Sequence, residues 1–224
     1  MNYAMIKILV LKDWSFNRIA IGAYLVGGLI SLMIMRYGGE LGFHLGNVFL
    51  LTILLGMGIH MTVTTVVHER KEKTLPFVMS LPISVKEYTT AKLLANLLLF
   101  TLPWVTVLVA CIFFIMDSSY FANGLIPFVV ITMVGIFLGY VLLVGMSLVF
   151  ESMAWTIAGI IGCNLLLQVS IHLIPRIQAI RVNMTAAEPV WNFAAVGLIL
   201  TEIVITVMLL ALTYYFQARK KDFT

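Results

Sequence analysis

The sequence predicts an all-α integral membrane protein, with six transmembrane helices in one domain over residues 1–224. The chain is 62% hydrophobic and only 11% charged, whereas a soluble domain is roughly 45–50% apolar and about 25% charged. Its apolar residues fall into blocks of about 20, the length that crosses a hydrocarbon core as a helix. Because lipid offers the backbone no hydrogen bonds, helices that bond internally are the expected spanning elements.

The segment before the first span, residues 1–18, is predicted to form an interfacial helix on the cytoplasmic leaflet. Tyr3, Ile6, Val10 and Trp14 fall on one helical face, and amphipathic helices of this kind lie in the membrane surface. A second interpretation stays open, in which these residues simply extend the first span into the cytoplasm.

Apolar runs predict spans at about residues 19–35, 46–67, 92–116, 125–149, 153–174 and 194–216. With the N-terminus inside, the cytoplasmic side carries Lys7, Lys12, Arg18, Arg70, Lys71, Lys73, Lys86, Lys92, Arg219, Lys220 and Lys221. The other side carries only Arg36, Arg176 and Arg181. The positive-inside rule therefore places both termini in the cytoplasm of a multi-pass cell-membrane protein, inner or plasma. The net charge of +4 is a sign of this topology, and we expect no nucleic-acid partner.

Two connections between spans are long enough to form structure of their own. Residues 68–91 contain five consecutive charges at 69–73. One charge at mid-bilayer already costs roughly 2.5–3.5 kcal/mol, so this segment must face water. Residues 175–193 form the longest outer loop, which the sequence allows either as a re-entrant element or as an ordinary surface loop.

Small residues mark where helices are expected to approach closely. Gly38, Gly42 and Gly46 repeat every four residues around the first outer turn, and Gly135 and Gly139 repeat the spacing in the fourth span. This spacing is typical of helix packing in membranes. A very tight turn is expected at residues 151–152, between the fourth and fifth spans.

Four polar residues inside the spans are candidates for a transport path. Asn164, Gln168 and His172 are spaced four apart and form one stripe on the fifth span. Glu202 should lie at a similar depth in the sixth span, and a carboxylate in a membrane usually faces a cavity or a partner. The same residues would equally serve as an internal brace between helices.

Catalytic and metal-binding motifs are incomplete in this sequence. It contains no Gly-Lys dipeptide and hence no Walker A loop for nucleotide phosphates. His68-Glu69-Arg70-Lys71-Glu72 differs from the H-E-x-x-H zinc motif at its last position. Cys111 and Cys163 lie in different spans and are expected to pack as small apolar residues. We expect no enzyme activity in the chain itself, no metal site and no cofactor.

Residues 69–92 resemble the type-2 membrane family of ATP-binding-cassette (ABC) exporter permeases. The matching features are Glu69-Arg70, Thr74-Leu75, Leu81-Pro82-Ile83-Ser84 and Ala91-Lys92. Lys73 departs from the pattern, because that position often holds glycine in the family. The six-span layout, the N-terminal helix and the long last outer loop extend the similarity over the whole chain.

The resemblance implies that residues 68–91 are a coupling segment containing a helix that docks on a separate cytoplasmic ATPase. It implies a working unit of two permeases, identical or different, and two ATPases, which bind the ATP and Mg²⁺. Membrane lipids surround the permeases, and the transport path would lie between them. The coupling and docking residues would be Glu69, Arg70, Lys71, Glu72, Thr74, Leu75, Pro76, Leu81, Pro82 and Lys92. The implied function is export of an amphipathic or hydrophobic substrate such as a peptide, lipid or drug.

Two other functions stay open from the sequence. One is an ion-coupled secondary transporter that uses Glu202 as its proton carrier and needs no ATPase. The other is a membrane immunity or scaffold protein that binds a partner without transporting anything.

Overall fold

The computed structural model describes residues 2–71, 83–118 and 121–219, with the side chains of Arg70 and Lys71 left outside that description. Its main helices are α1 (Tyr3–Tyr37), α2 (Gly39–Thr62), α4 (Val85–Met116), α5 (Ile126–Phe150), α6 (Met153–Leu173) and α8 (Phe193–Ala218). Short helices are α3 (His68–Lys71) and α7 (Gln178–Arg181). A π-helical turn, Val63–Val67, joins α2 to α3, and 3₁₀ turns lie at Asn123–Leu125 and Ile174–Arg176.

Among the described residues, six helices are long and apolar enough to cross a membrane, which confirms the predicted all-α multi-pass fold. Their bounds extend beyond the predicted spans, most of all at α2, which begins at Gly39 rather than near residue 46. The apolar pattern locates the membrane-crossing part of a helix, whereas the ends are set by capping side chains. Ser84, for example, forms a reciprocal capping box with Glu87 at the start of α4.

Residues 3–18 form the first part of α1 rather than a separate interfacial helix, so the extended-span interpretation describes this segment. At 35 residues, α1 is about 52 Å long, well beyond a hydrocarbon core of about 30 Å. Its buried face is Ile6, Leu9, Asp13 and Asn17, whereas Tyr3 on the predicted face is 74% exposed. Ile6 and Leu9 pack against Tyr88 and Ala91 of α4, and this contact holds the segment to the bundle.

The predicted glycine contacts are present at two different kinds of interface. A methyl group on Gly42 would lie 2.7 Å from the Ile34 carbonyl oxygen, so α1 and α2 approach too closely for any side chain there. Gly135 and Gly139 face different neighbours: Glu202 of α8 at the first and Cys163 of α6 at the second. Helix α5 thus packs between α6 and α8.

The loop between α6 and α8 folds over one end of the bundle. Ile174 and Ile180 are buried with Ile131 and Ala195, and the Gly124 amide donates a hydrogen bond of 2.9 Å to the Ala186 carbonyl. The segment predicted at residues 175–193 therefore packs on the ends of α5 and α8 and includes α7. At the opposite end, residues 151–152 join α5 to α6 in the predicted tight turn, with Glu151 at a left-handed φ of 53°.

Candidate functional site

A cluster of charged side chains, most of them buried, lies at the end of the bundle near α3 and the first turns of α4. We call it the Lys92 cluster and define it as Lys12, Asp13, Glu69, Tyr88 and Lys92. The Lys92 side chain is fully buried, and its Nζ lies 2.8 Å from both Asp13 Oδ2 and Glu69 Oε1. Lys92 thereby joins α1, α3 and α4 at a single atom.

Lys12 and Tyr88 contribute further contacts to the same two carboxylates. Lys12 donates to Glu69, and its Nζ lies 3.5 Å from Asp13 Oδ1. The Tyr88 hydroxyl donates to Glu69 Oε2 over 3.1 Å. Two carboxylates and two ammonium groups make the cluster formally neutral, which is the condition under which charges are tolerated away from water.

Glu69 shows the electrostatic balance of the cluster. Burial of its carboxyl group on its own would raise the pKa, but the ammonium groups of Lys92 and Lys12 outweigh burial and hold the pKa below its ordinary value of 4.5. Glu69 is consequently held as a carboxylate. Removing one cationic partner would leave an uncompensated buried charge, the costly case for a buried ion pair.

A layer of neutral polar side chains continues from the cluster into the bundle. Asn17 Nδ2 donates to the Asp13 carbonyl, and its Oδ1 accepts from the Thr64 hydroxyl over 2.9 Å. On the other side, Asn96 Nδ2 donates to the Lys92 carbonyl over 2.9 Å. The layer therefore starts from the backbones of the two residues that form the central ion pair.

The layer ends at Tyr140 of α5. The Tyr140 hydroxyl donates to Asn96 and lies 3.0 Å from Asn96 Oδ1, while the Thr65 hydroxyl lies 3.0 Å from the same oxygen. Tyr140 also stacks on Phe100, with ring centroids 4.0 Å apart. Polar contacts thus connect the end of α3 to the middle of the bundle through α1, the π-helical turn, α4 and α5.

Two consecutive threonines in the π-helical turn reach different helices. Thr64 meets Asn17 of α1 and Thr65 meets Asn96 of α4, both from within Val63–Val67. A π-helical turn adds one residue to an α-helical turn, and such turns are frequent at functional sites. The widened turn fixes α2 between its two polar neighbours.

The structure brings together only part of the predicted coupling residues. Glu69 and Lys92 meet inside the Lys92 cluster, where their exposed fractions are 8% and 0%. Glu72, Thr74, Leu75, Pro76, Leu81 and Pro82 lie outside the described residues, as do the side chains of Arg70 and Lys71. Direct docking by Lys92 would require it to leave both carboxylates, so the cluster favours a positioning role for Lys92.

The predicted transport-path residues do not form one group. Asn164 is half-buried and donates to the Ile160 carbonyl, whereas Gln168 and His172 are exposed and interact within their own helix turn through His172 Nδ1 and the Gln168 carbonyl. Glu202 faces Gly135 of α5 from α8. Its Oε2 atom is buried and has no hydrogen-bond partner among the described residues.

Sequence reasoning did not identify the following members of the cluster and the layer as site residues: Lys12, Asp13, Asn17, Thr64, Thr65, Tyr88, Asn96 and Tyr140. Asp13 and Asn17 continue the spacing of Ile6 and Leu9 along α1, so a polar pair in line with an apolar stripe was the available signal. Asn96 follows Lys92 by four residues and shares its helical face. Their partners lie 79 and 31 residues away in the chain, which no local pattern reveals.

Comparisons with family models, with curated proteins and with solved structures each give no significant match. The hypothesis about family therefore depends on residues 69–92 and the layout of the helices. The hypothesis about the site depends on the geometry of the Lys92 cluster.

Proposed function

We propose that this chain is the transmembrane permease subunit of an ABC exporter, with both termini in the cytoplasm. In this proposal a separate cytoplasmic ATPase supplies the energy, and an amphipathic or hydrophobic substrate is exported. The permease would work as a dimer with itself or with a sister chain. The coupling segment, residues 68–91, would carry motion from the ATPase into the spans.

The observation that carries the proposal is the network of ion pairs and hydrogen bonds around Lys92. Glu69 lies just before residues 72–82 of the coupling segment, which are outside the described residues, and Lys92 directly follows the segment, two turns into α4. The Lys92–Glu69 ion pair therefore holds the two ends of the segment together, and Asp13 adds α1 to the same point. A segment that transmits force needs a stiff base, and paired buried charges with several hydrogen bonds provide one.

The polar layer gives this base a route into the bundle. From Lys92 it reaches Asn96 and then Tyr140 of α5 through hydrogen bonds of 2.9 and 3.0 Å. A displacement of α3 would therefore be transmitted to α4 and α5 as well as to α1. Coupling free energies between distant sites are typically about 1–3 kcal/mol, the scale of one or two such hydrogen bonds.

The first test is whether a neighbouring reading frame encodes a soluble ATPase, and the second co-expresses such an ATPase with the permease. Arg70→Glu and Pro82→Ala change the coupling segment and should abolish transport or reduce ATPase co-purification while the permease stays folded. Arg181→Glu, in the loop over the other end, is the matched control and should leave both unchanged. Normal transport and co-purification in the two coupling variants would contradict the proposal.

A second candidate function is ion-coupled transport through Glu202, favoured by its buried and unpartnered Oε2 atom. An isolated carboxyl group away from water is a proton-binding site that can load and unload with conformation. Transport driven by a pH gradient without ATP, and abolished by Glu202→Gln, would support this function. Transport that needs ATP and survives Glu202→Gln would exclude it in favour of the exporter.

A further inference from the structure

Two adjoining recesses lie at the end of the bundle where α1 meets α2, which we call the Arg36 end. The inner cavity has a volume of about 170 Å³ and is lined mainly by apolar side chains, including Leu50, Ile115 and Met133. The outer recess has a volume of about 780 Å³ and contains Arg36, Glu40 and Asp117. Both are built within one chain, away from the Lys92 cluster.

The two recesses share part of their walls. Met35, Phe43, Phe114 and Phe121 line both of them. The ring centroids of Phe43 and Phe121 are 5.0 Å apart, and those of Phe114 and Phe121 are 5.7 Å apart. Three phenylalanine rings therefore stand at the junction between an apolar cavity and a charged recess.

The charges of the outer recess favour a cation. Arg36 is paired with Asp117, with 2.6 Å between Nη1 and Oδ2, and Glu40 adds a further carboxylate, so the formal charge of this lining is −1. Aromatic faces also attract cations, and clusters of aromatic rings recognise quaternary ammonium groups. The aromatic rings and the carboxylates therefore both favour a positively charged ligand.

We propose that the Arg36 end binds an organic ammonium compound, with its ammonium group at the three phenylalanines and its apolar part in the inner cavity. An apolar protein cavity of about 150 Å³ holds a benzene molecule. The inner cavity is of similar size and takes a short alkyl chain or one ring. This site lies within a single chain and does not depend on the proposed ATPase partner.

The shared chemistry, a trimethylammonium group, comes either from a soluble amphiphile or from the choline head group of a lipid such as phosphatidylcholine. The probe is trifluorohexyl-trimethylammonium, and trifluorohexanol is its neutral counterpart with the same tail. Binding to the full-length protein in phosphatidylglycerol nanodiscs is followed by the width of the fluorine NMR line, with empty nanodiscs as the blank.

Phe121→Leu keeps the junction apolar but removes one ring, so it should weaken binding of the ammonium probe roughly two- to fivefold and leave trifluorohexanol unchanged. Glu40→Gln should weaken only the ammonium probe. Phe216→Leu, an exposed position on α8, and Glu188→Gln, in the α6–α8 loop, are the matched controls and should change neither. The melting temperature of each variant verifies that it is folded.

Adding phosphatidylcholine to the nanodiscs separates the two sources. Displacement of the probe assigns the site to the lipid head group, and retention of the probe assigns it to a soluble amphiphile; each supports the proposal. Equal losses for the ammonium and neutral probes in Phe121→Leu would overturn it, because the junction would then have no preference for charge. Unchanged binding of both probes in Phe121→Leu and Glu40→Gln would overturn it as well.

Discussion

The Lys92 cluster and Glu202 place ionisable groups in the same apolar bundle under opposite conditions. In the cluster, the carboxylates of Asp13 and Glu69 each lie 2.8 Å from Lys92 Nζ, and Lys12 pairs with both of them. Glu202 Oε2 is buried with no hydrogen-bond partner among the described residues. Paired charges stabilise a fixed arrangement of helices. An unpaired buried carboxyl group instead destabilises the folded protein, and such groups in membrane proteins usually have a binding function.

Lys92→Met should have the largest effect on stability among the substitutions that test this difference. The substitution leaves Asp13 and Glu69 facing each other without their central cation, and loss of one partner from a buried ion pair costs about 3–5 kcal/mol. Unfolding by denaturant in micelles measures the change. Lys86→Met, at an exposed lysine on the same helix, is the control, and equal stability of the two variants would show that the cluster contributes nothing.

A pair of matched substitutions, Asp13→Asn and Glu202→Gln, tests the contrast directly. Asp13→Asn weakens a charged hydrogen bond with Lys92 and should cost about 1.5–3 kcal/mol. Glu202→Gln breaks no ion pair among the described residues and replaces an unpartnered carboxyl group with a neutral amide, so its free energy of unfolding should stay within about 1 kcal/mol of the parent or rise. Equal destabilisation by both would mean that Glu202 is paired in the assembled protein.

Thr65→Val tests the neutral layer beyond the cluster. Valine keeps the shape of threonine but loses the hydroxyl that lies 3.0 Å from Asn96 Oδ1, so the free energy of unfolding should fall by about 1 kcal/mol. The same change at Thr52, whose exposed hydroxyl bonds within its own helix, should be nearly neutral. A larger loss at Thr52 than at Thr65 would refute the layer's contribution.

The smallest expected effect is a dependence of stability on pH. Lys92 and Lys12 lower the pKa of Glu69 in the folded protein, so its stabilising contribution is complete above the unfolded-state pKa of about 4.5 and is lost as pH falls through the lowered folded-state value. The melting temperature of the parent should therefore drop more steeply below pH 4.5 than that of Glu69→Gln. Parallel curves would indicate that Glu69 titrates normally.

The sequence predicts the spans well and the polar site poorly, for a physical reason. Each span is a local property, because a block of about 20 apolar residues has one stable place in a bilayer. The Lys92 cluster depends on contacts between residues far apart in the sequence, since Lys92 and Asp13 are separated by 79 positions. Glu69 and Lys92 are flagged by the resemblance, but nothing local indicates that Lys92 is buried or that Asp13 is its partner.

The N-terminal segment shows the same limit. Tyr3, Ile6, Val10 and Trp14 have the spacing of a surface helix, and only the contact of Ile6 and Leu9 with Tyr88 and Ala91 shows which face the bundle selects. The glycine repeat at residues 38–46 was informative, because close backbone approach requires small residues wherever the partner helix comes from.

The left-handed residue Glu151 links α5 to α6 with one further residue, Ser152, between the helices. Three Cα–Cα steps separate Phe150 from Met153, and they span at most about 11 Å when fully extended, so these two helices cannot separate at that end by more than this length while both remain helical. A larger movement at that end must carry α5 and α6 together, as one unit hinged at Glu151 and Ser152.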